Sequence, residues 1–420
     1  MSGKIKLNSA SGGGSVSIQA PSSESNNRTL TLPSDADGTI VSKDTTNNLA
    51  NIASINGGSI GTKNLVTNGA FLVSQRGTSS TSSGYQTLDR FAVYVTNVGT
   101  TVTQSQQDLS SSDTPYSLGF RKSHRTALSG AGTANANSEI IILQKIEAQD
   151  IATSGWNYTS TSSYVTLQFW FKCSTNQTFY CYLETKDGTS QTYPFSFTAS
   201  GNNTWTKITK TIPGNSNLQF DNNNGEGLLL VLVPFYGTDK TNNSKSLNQW
   251  SAFDTTARTP DYASTWLTAG ASTFDITGVQ LEVGSVATDF EHRSFGQELA
   301  LCQRYAFVIP YGGNSGTGEF IVGTPTYARL GNAVRTTVNF PVPMRANPTF
   351  TGSATNINYS SVNSSANFLA NTVGVENANS HFNVTAIQLR ADNLSSMDLN
   401  TSGTLSWQAT GGFFKFESEL

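Results

Sequence analysis

Residues 164–173 read Tyr-Val-Thr-Leu-Gln-Phe-Trp-Phe-Lys-Cys, an alternation that sets the local structure before any other argument is needed. Successive side chains of an extended strand point to opposite faces, so Val165, Leu167, Phe169, Phe171 and Cys173 share one face. After a polar turn at 174–177, Phe179, Cys181 and Leu183 extend the same pattern, and Tyr193, Phe195 and Phe197 supply a further strand. The run Leu228-Leu-Leu-Val-Leu-Val233 is apolar at every position, as expected of a central strand covered on both faces. Strands at short intervals, separated by Gly, Asn and Ser turns, predict an all-β sandwich.

At 420 residues the chain is long enough for two or three folded units. Only 13% of its residues are charged, against about 25% in ordinary soluble domains. Ser, Thr, Asn and Gly take their place, a composition common in extracellular and virion β-proteins. The net charge of -3 gives no electrostatic basis for binding nucleic acid or an anionic membrane. No apolar run is long enough for a membrane-spanning helix, so no membrane insertion is expected. The opening Met1-Ser-Gly-Lys-Ile-Lys6 lacks the apolar core of a secretory signal. The three cysteines have no zinc-like spacing, and Cys173 and Cys181 are expected as buried free thiols in a protein made in a reducing cytosol.

Four regions follow. Residues 1–62 carry short β-like pieces, Lys4–Leu7, Ser15–Gln19 and Thr29–Pro33, each too poor in apolar residues to form a core of its own. This segment is either a flexible tail or a stalk stabilised by strands of other subunits. Residues 63–293 are the expected sandwich. Its last strand holds Val279, Leu281 and Val283 in alternation with polar residues, which predicts one buried face. Residues 294–306 form the one helix expected: Ser294 and Gln297 have capping-box spacing, and Phe295, Leu299, Cys302 and Tyr305 form an apolar stripe suited to oligomerisation. Residues 307–420 return to β-structure, with the prolines at 341–348 expected at an edge or corner.

Catalytic constellations are poor. Gly57-Gly-Ser-Ile-Gly61 spells a nucleophile elbow around Ser59 but lies in a linker, without the strand and helix that such an elbow needs. His124, His292 and His381 are far apart, and His292 is expected to be hydrogen-bonded structurally. Glu282 and Glu291 could form the acid pair of a glycosidase, but they are better explained as partners of Arg293 or Arg304. Asp89 and Arg90 read as a local ion pair. Asp221–Glu226 offers oxygen ligands without a full calcium-loop spacing and is expected to be a solvated turn. No catalytic residue, metal or cofactor is expected. The candidate ligand-binding residues are aromatic, since sugars stack on exposed rings. Trp170, Tyr180 and Tyr182 fall opposite the expected core face, and Trp250 and Trp266 lie in polar surroundings.

Several segments resemble known families. Gln280–Tyr305 resembles the joint of tail-fibre and receptor-binding proteins of tailed bacteriophages. Leu32-Pro33 followed by Asp37-Gly-Thr-Ile-Val41 resembles their neck, and Pro343-Met-Arg-Ala-Asn-Pro348 and the acidic Gly412–Leu420 resemble their terminal domain. Asn64-Leu-Val-Thr-Asn-Gly-Ala-Phe71 is similar to the start of jelly-roll carbohydrate-binding modules. Asp289 departs from the pattern, standing where related sequences often carry proline. The resemblance implies an extended N-terminal stalk, a central jelly roll, a connecting helix and a C-terminal β-sandwich in a homotrimeric fibre. It further implies a virion tail protein made in the host bacterial cytoplasm and anchored to other virion proteins by its N-terminal segment. Such a protein attaches without catalysis to a host surface glycan or outer-membrane protein. A head- or collar-attached fibre, or a free carbohydrate-binding module or enzyme, stands as the alternative.

Overall fold

Strand alternation becomes pairing in the computed structural model, which describes residues 4–8, 15–19, 54–55, 58–59, 63–199, 203–263, 265–310, 320–330, 333–352, 357–361, 367–370, 372–375, 383–392, 402–407 and 413–420. The chain divides into two compact units, Met1–Ala53 and Ser54–Leu420. In the first, Lys4–Asn8 pairs antiparallel with Ser15–Gln19, with Ile5 opposite Ile18. Two of the expected β-pieces thus find each other within one chain. The third piece and the neck-like Leu32–Val41 segment lie outside the described residues.

In the second unit, two six-stranded antiparallel sheets face each other as a jelly-roll sandwich. One sheet runs, edge to edge, through Thr206–Pro213, Tyr164–Cys173, Thr273–Val283, Lys122–Leu128, Val102–Asp108 and Ser79–Ser80. The other runs through Ser251–Ala252, Gln191–Thr198, Thr178–Thr185, Glu226–Tyr236, Glu139–Glu147 and Ala92–Thr96. The alternating residues fill the space between them: Val165, Leu167, Phe169, Phe171 and Cys173 meet Phe179, Cys181, Leu183, Phe195 and Phe197 in one core. Phe171 packs edge-on to Phe197 at 5.0 Å and to Phe179 at 5.5 Å, geometry that aromatic quadrupoles favour. Glu226–Tyr236 is central, as its composition predicts. Leu228, Leu230 and Leu232 enter the main core, while Leu229, Val231 and Val233 enter a second apolar layer on the other face, covered by Tyr262. All three cysteines are free and buried.

The Thr273–Val283 strand differs from expectation, because both of its faces are buried. Val279 and Leu281 point into the core, yet Gln280 and Glu282 are equally enclosed. The segment after the strand folds back over its polar face and satisfies it. Gln280 accepts from the Glu291 main-chain N–H at 2.8 Å and donates to Glu282 at 2.9 Å, and Glu282 also accepts from the Thr288 N–H at 2.8 Å. The start of the sandwich is pinned to the same strand. Asn64 accepts from the N–H groups of Val66 and Leu281 at 3.0 Å each and donates to Val279. A Cβ at Gly69 would sit 2.0 Å from the Val279 carbonyl oxygen, so only glycine fits there.

The helix Phe295–Gln303 starts at Ser294 with both capping-box hydrogen bonds in place. It is not the only helix: Thr114–Ser117, Ala148–Ala152 and Thr265–Thr268 add short turns of four or five residues, too brief to leave a periodic signal. Beyond it, a three-stranded sheet (Ala306–Pro310, Phe413–Glu417, Thr349–Gly352) and a seven-stranded sheet form the C-terminal sandwich-like region. Residues 341–348 make the corner between Ala333–Asn339 and Thr349–Gly352, with Met344 buried. Among the described residues no helix is long and apolar enough to cross a membrane.

Candidate ligand-binding cleft and the charged joint

Two regions concentrate charge beside aromatic rings. The first joins the C-terminal segment to the sandwich. Arg76, almost fully buried, reaches Asp89 at 3.3 Å, Glu417 at 2.7 Å and Glu419 at 2.8 Å. Arg90 pairs with the second oxygen of Glu419 and lies 3.4 Å from the Tyr305 ring centroid. Tyr305 donates to Glu147 at 2.5 Å, and Arg304 forks onto the same carboxylate at 2.7 and 2.8 Å. Arg345 of the proline-rich corner donates to the main-chain oxygens of Ser418 and Glu419. Burial pushes the Asp89 carboxyl up to about 6, against the pull of Arg76. Burial acts on Glu147 too, but the hydrogen bonds from Arg304 and Tyr305 overcome it and hold that carboxyl below its usual range.

This geometry corrects three expectations. Asp89 and Arg90 are not each other's partners, because adjacent side chains diverge and Arg90 sits at φ 69°. Glu291 does pair with Arg293, at 3.3 Å, but Arg304 is taken by Glu147, and Glu282 is held by Thr288 and Gln280. The oligomerisation stripe is largely consumed inside the chain. Cys302 and Tyr305 are buried and Leu299 is half-buried, while Phe295 is 58% exposed and Leu301, outside the stripe, is 40% exposed. Leu301 lines a pocket of about 700 Å³ whose walls combine the apolar Ala300, Val342 and Pro343 with the charged Glu291, Arg293 and Arg304.

The other expected residues are placed as follows. Ser59 lies in a two-residue strand, Gly58–Ser59, paired with Ser54–Ile55. His124 is buried against Thr126, and burial pushes its pKa down to about 3. His381 lies outside the described residues. At Asp221–Glu226, Asn223 accepts from the Gly225 N–H and Glu226 pairs with Lys145. Among the described residues no group of three or more His, Cys, Asp or Glu side chains is placed to hold a metal ion.

The five candidate aromatics do not converge. Tyr182 is buried, its hydroxyl 2.9 Å from that of Tyr236, and Tyr180 is buried against Tyr262. Trp266 is enclosed by the core, its indole donating to the Thr273 carbonyl at 3.0 Å. These three rings present no face to a glycan, so their assignment as ligand-binding residues is corrected. Trp250 is half-buried on Tyr193 and donates to the Pro213 carbonyl at 2.7 Å. Trp170 is different: it lines an open cleft of about 330 Å³ on the outer face of its sheet.

A β-bulge makes the floor of that cleft. Gln168 pairs with Gln280 and Trp170 with Thr277, so Gly278 and Val279 together oppose Phe169. Gly278 adopts φ 64°, and a Cβ there would lie 2.6 Å from the Phe120 ring. Phe120 packs edge-on to Phe290 at 4.8 Å and lies 5.0 Å from the His292 ring. His292 is hydrogen-bonded as expected: Nε2 donates to the Leu118 carbonyl at 2.9 Å, so that in the neutral ring Nδ1 is an acceptor. Lys207 sits opposite Trp170 on the neighbouring strand, and Asp289 lines the rim. Both are exposed, and neither side chain has a hydrogen-bond or ion-pair partner among the described residues. Phe120, Lys207, Asp289 and Phe290 were not singled out from the sequence as ligand-binding, since loops and a bulge bring them together rather than a periodic pattern.

No protein-family model matches the chain, and no curated protein sequence matches it. Solved structures with some likeness include the enzymatically active domain of bacteriophage CBA120 tailspike protein 4, at 11% identity and TM-score 0.28. That match covers 52% of this chain and 21% of the tailspike, so the chain spans about a fifth of that structure's length. A family 11 carbohydrate-binding module from Clostridium thermocellum, in complex with a mixed-linked tetrasaccharide, matches at 9% identity and TM-score 0.24, covering 50% of this chain and 98% of the module. The CBM22-1–CBM22-2 tandem of Paenibacillus barcinonensis Xyn10C matches at 11% identity and TM-score 0.24, covering 88% of this chain and 98% of the tandem. Identities and scores are low throughout, and nothing about this chain's ligand follows from them.

Proposed function

We propose that the chain is a non-catalytic attachment protein of a tailed-phage virion, a homotrimeric tail fibre or fibre tip that holds a glycan on the host surface. The observation that carries glycan attachment is the Trp170 cleft, where a half-buried indole and the Phe290 ring adjoin polar groups that the fold does not use. Sugar sites combine such ring faces with a few convergent polar atoms. The absence of turnover is supported by the commitments of the acids at the joint. Glu282 accepts from Thr288 and Gln280, and Glu291 from the main chain of Lys63 and Asn64. Both carboxylates thus serve the joint's own hydrogen-bond network, which supports a structural role for them. The exposed Phe295, and Leu301 in the wall of the 700 Å³ pocket, would supply apolar contacts to a second copy, and the Met1–Ala53 unit would dock to other virion proteins.

Binding of the full chain to immobilised bacterial surface polysaccharide tests attachment. Trp170→Ala should abolish binding, and no reducing sugar should be released during it; retained binding by that variant removes the cleft from the reading. Light scattering tests assembly, with an expected mass of three times 44.8 kDa. Leu301→Asp should reduce that mass to one copy.

A further inference from the structure

Resting on the attachment reading, we infer that the Trp170 cleft selects neutral glycans with adjacent free hydroxyls and rejects acidic ones. The inference comes from which polar atoms are left over. Lys207 offers donors only, ionised Asp289 acceptors only, and His292 Nδ1 an acceptor. A sugar hydroxyl both donates and accepts, so one hydroxyl can accept from Lys207 while its neighbour donates to Asp289. The ring carbons then rest against Trp170 and Phe290.

A ligand of other chemistry meets this set badly. A uronate, sialate or phosphate group would satisfy Lys207 but set a like charge beside Asp289, and such a juxtaposition is strongly unfavourable. An apolar ligand would leave both charges without partners. The nearby cations of the same sheet cannot compensate, because they are already matched: Lys172 with Asp113, Lys122 with Asp108 and Arg125 with Asp275. The side chains that line the cleft therefore carry one free charge of each sign, and Lys63 beside it is held by the Asp289 main-chain oxygen and the Thr288 hydroxyl.

The test is an array of immobilised bacterial polysaccharides, neutral (glucan, mannan, galactan) and acidic (uronate-, sialate- or phosphate-bearing), probed with the full chain. The wild type should bind the neutral set. Asp289→Asn should weaken that binding about tenfold or more, as loss of a charge-assisted hydrogen bond does. Asp289→Lys should bring acidic polysaccharides onto the array. Both variants change an exposed, unpaired side chain, and an unchanged thermal melt verifies their fold. Preference of the wild type for acidic polysaccharides overturns the selectivity and leaves attachment standing. Failure to bind either set overturns both.

Discussion

The joint and the cleft are built from the same parts and put them to opposite use. At the joint, Arg90 lies over Tyr305 with its charge buried and taken up by Glu419. At the cleft, Lys207 stands across from Trp170 with its charge exposed and free. Asp89 is enclosed beside Arg76, whereas the Asp289 carboxylate faces water without an ion pair, the nearby Lys63 ammonium donating to the Asp289 main-chain oxygen at 2.6 Å instead. A buried pair that loses one member leaves an uncompensated charge in a poorly polarisable interior. An exposed unpaired residue has no such hold on the fold, and its value lies in what it offers a partner.

The largest test of this contrast is Arg90→Ala. It removes one of the two guanidinium groups that hold Glu419 and the contact on the Tyr305 ring, leaving Arg76 on the other oxygen, and should cost about 2–3 kcal/mol in urea unfolding. A loss below about 1 kcal/mol would erase the distinction between the two regions. Next comes the pH dependence of Asp89. Its folded pKa, about 6, lies above the ordinary 3.8, so the folded state holds the proton more tightly. The resulting stability is fully present below pH 3.8 and is lost as the pH rises to about 6, an effect of roughly 2–3 kcal/mol. Subtracting the stability profile of Asp89→Asn from that of the wild type should isolate this slope. Glu147, with its carboxyl held low, contributes in the opposite sense and cancels in the subtraction.

Smaller effects sharpen the comparison. Ser294→Ala removes the capping box at the helix start and should cost about 1 kcal/mol by thermal melting. Lys207→Ala and Asp289→Asn should change stability by no more than about 0.5 kcal/mol while lowering polysaccharide binding. A larger loss of stability would mean that the cleft, too, holds the fold together.

What the sequence discloses follows the same divide between local and distant causes. The strands at 164–173, 179–183 and 228–233 are legible because alternation is a local property of an extended chain. The helix start is legible because both capping partners lie within four residues. Trp266 misleads because its polar neighbours belong to a short turn that carries the indole inward, where it fills the core. Arg90 misleads because its carboxylate partner lies 329 positions away, and no spacing can point across such a gap. Of the five candidate aromatics, Trp170 alone lines the cleft. Its companions Phe120 and Phe290 become visible once a bulge and a folded-back segment are known.

The joint also bears on the order in which the chain can mature. Glu417 and Glu419 meet Arg76 across 341 and 343 positions. On a ribosome, the sandwich strands are complete long before these two acids are made. Until then Arg76 and Arg90 have no carboxylate from the C-terminal segment. The ion pairs of Arg76 with Glu417 and Glu419, and of Arg90 with Glu419, therefore close only once almost the whole of the second unit has been synthesised.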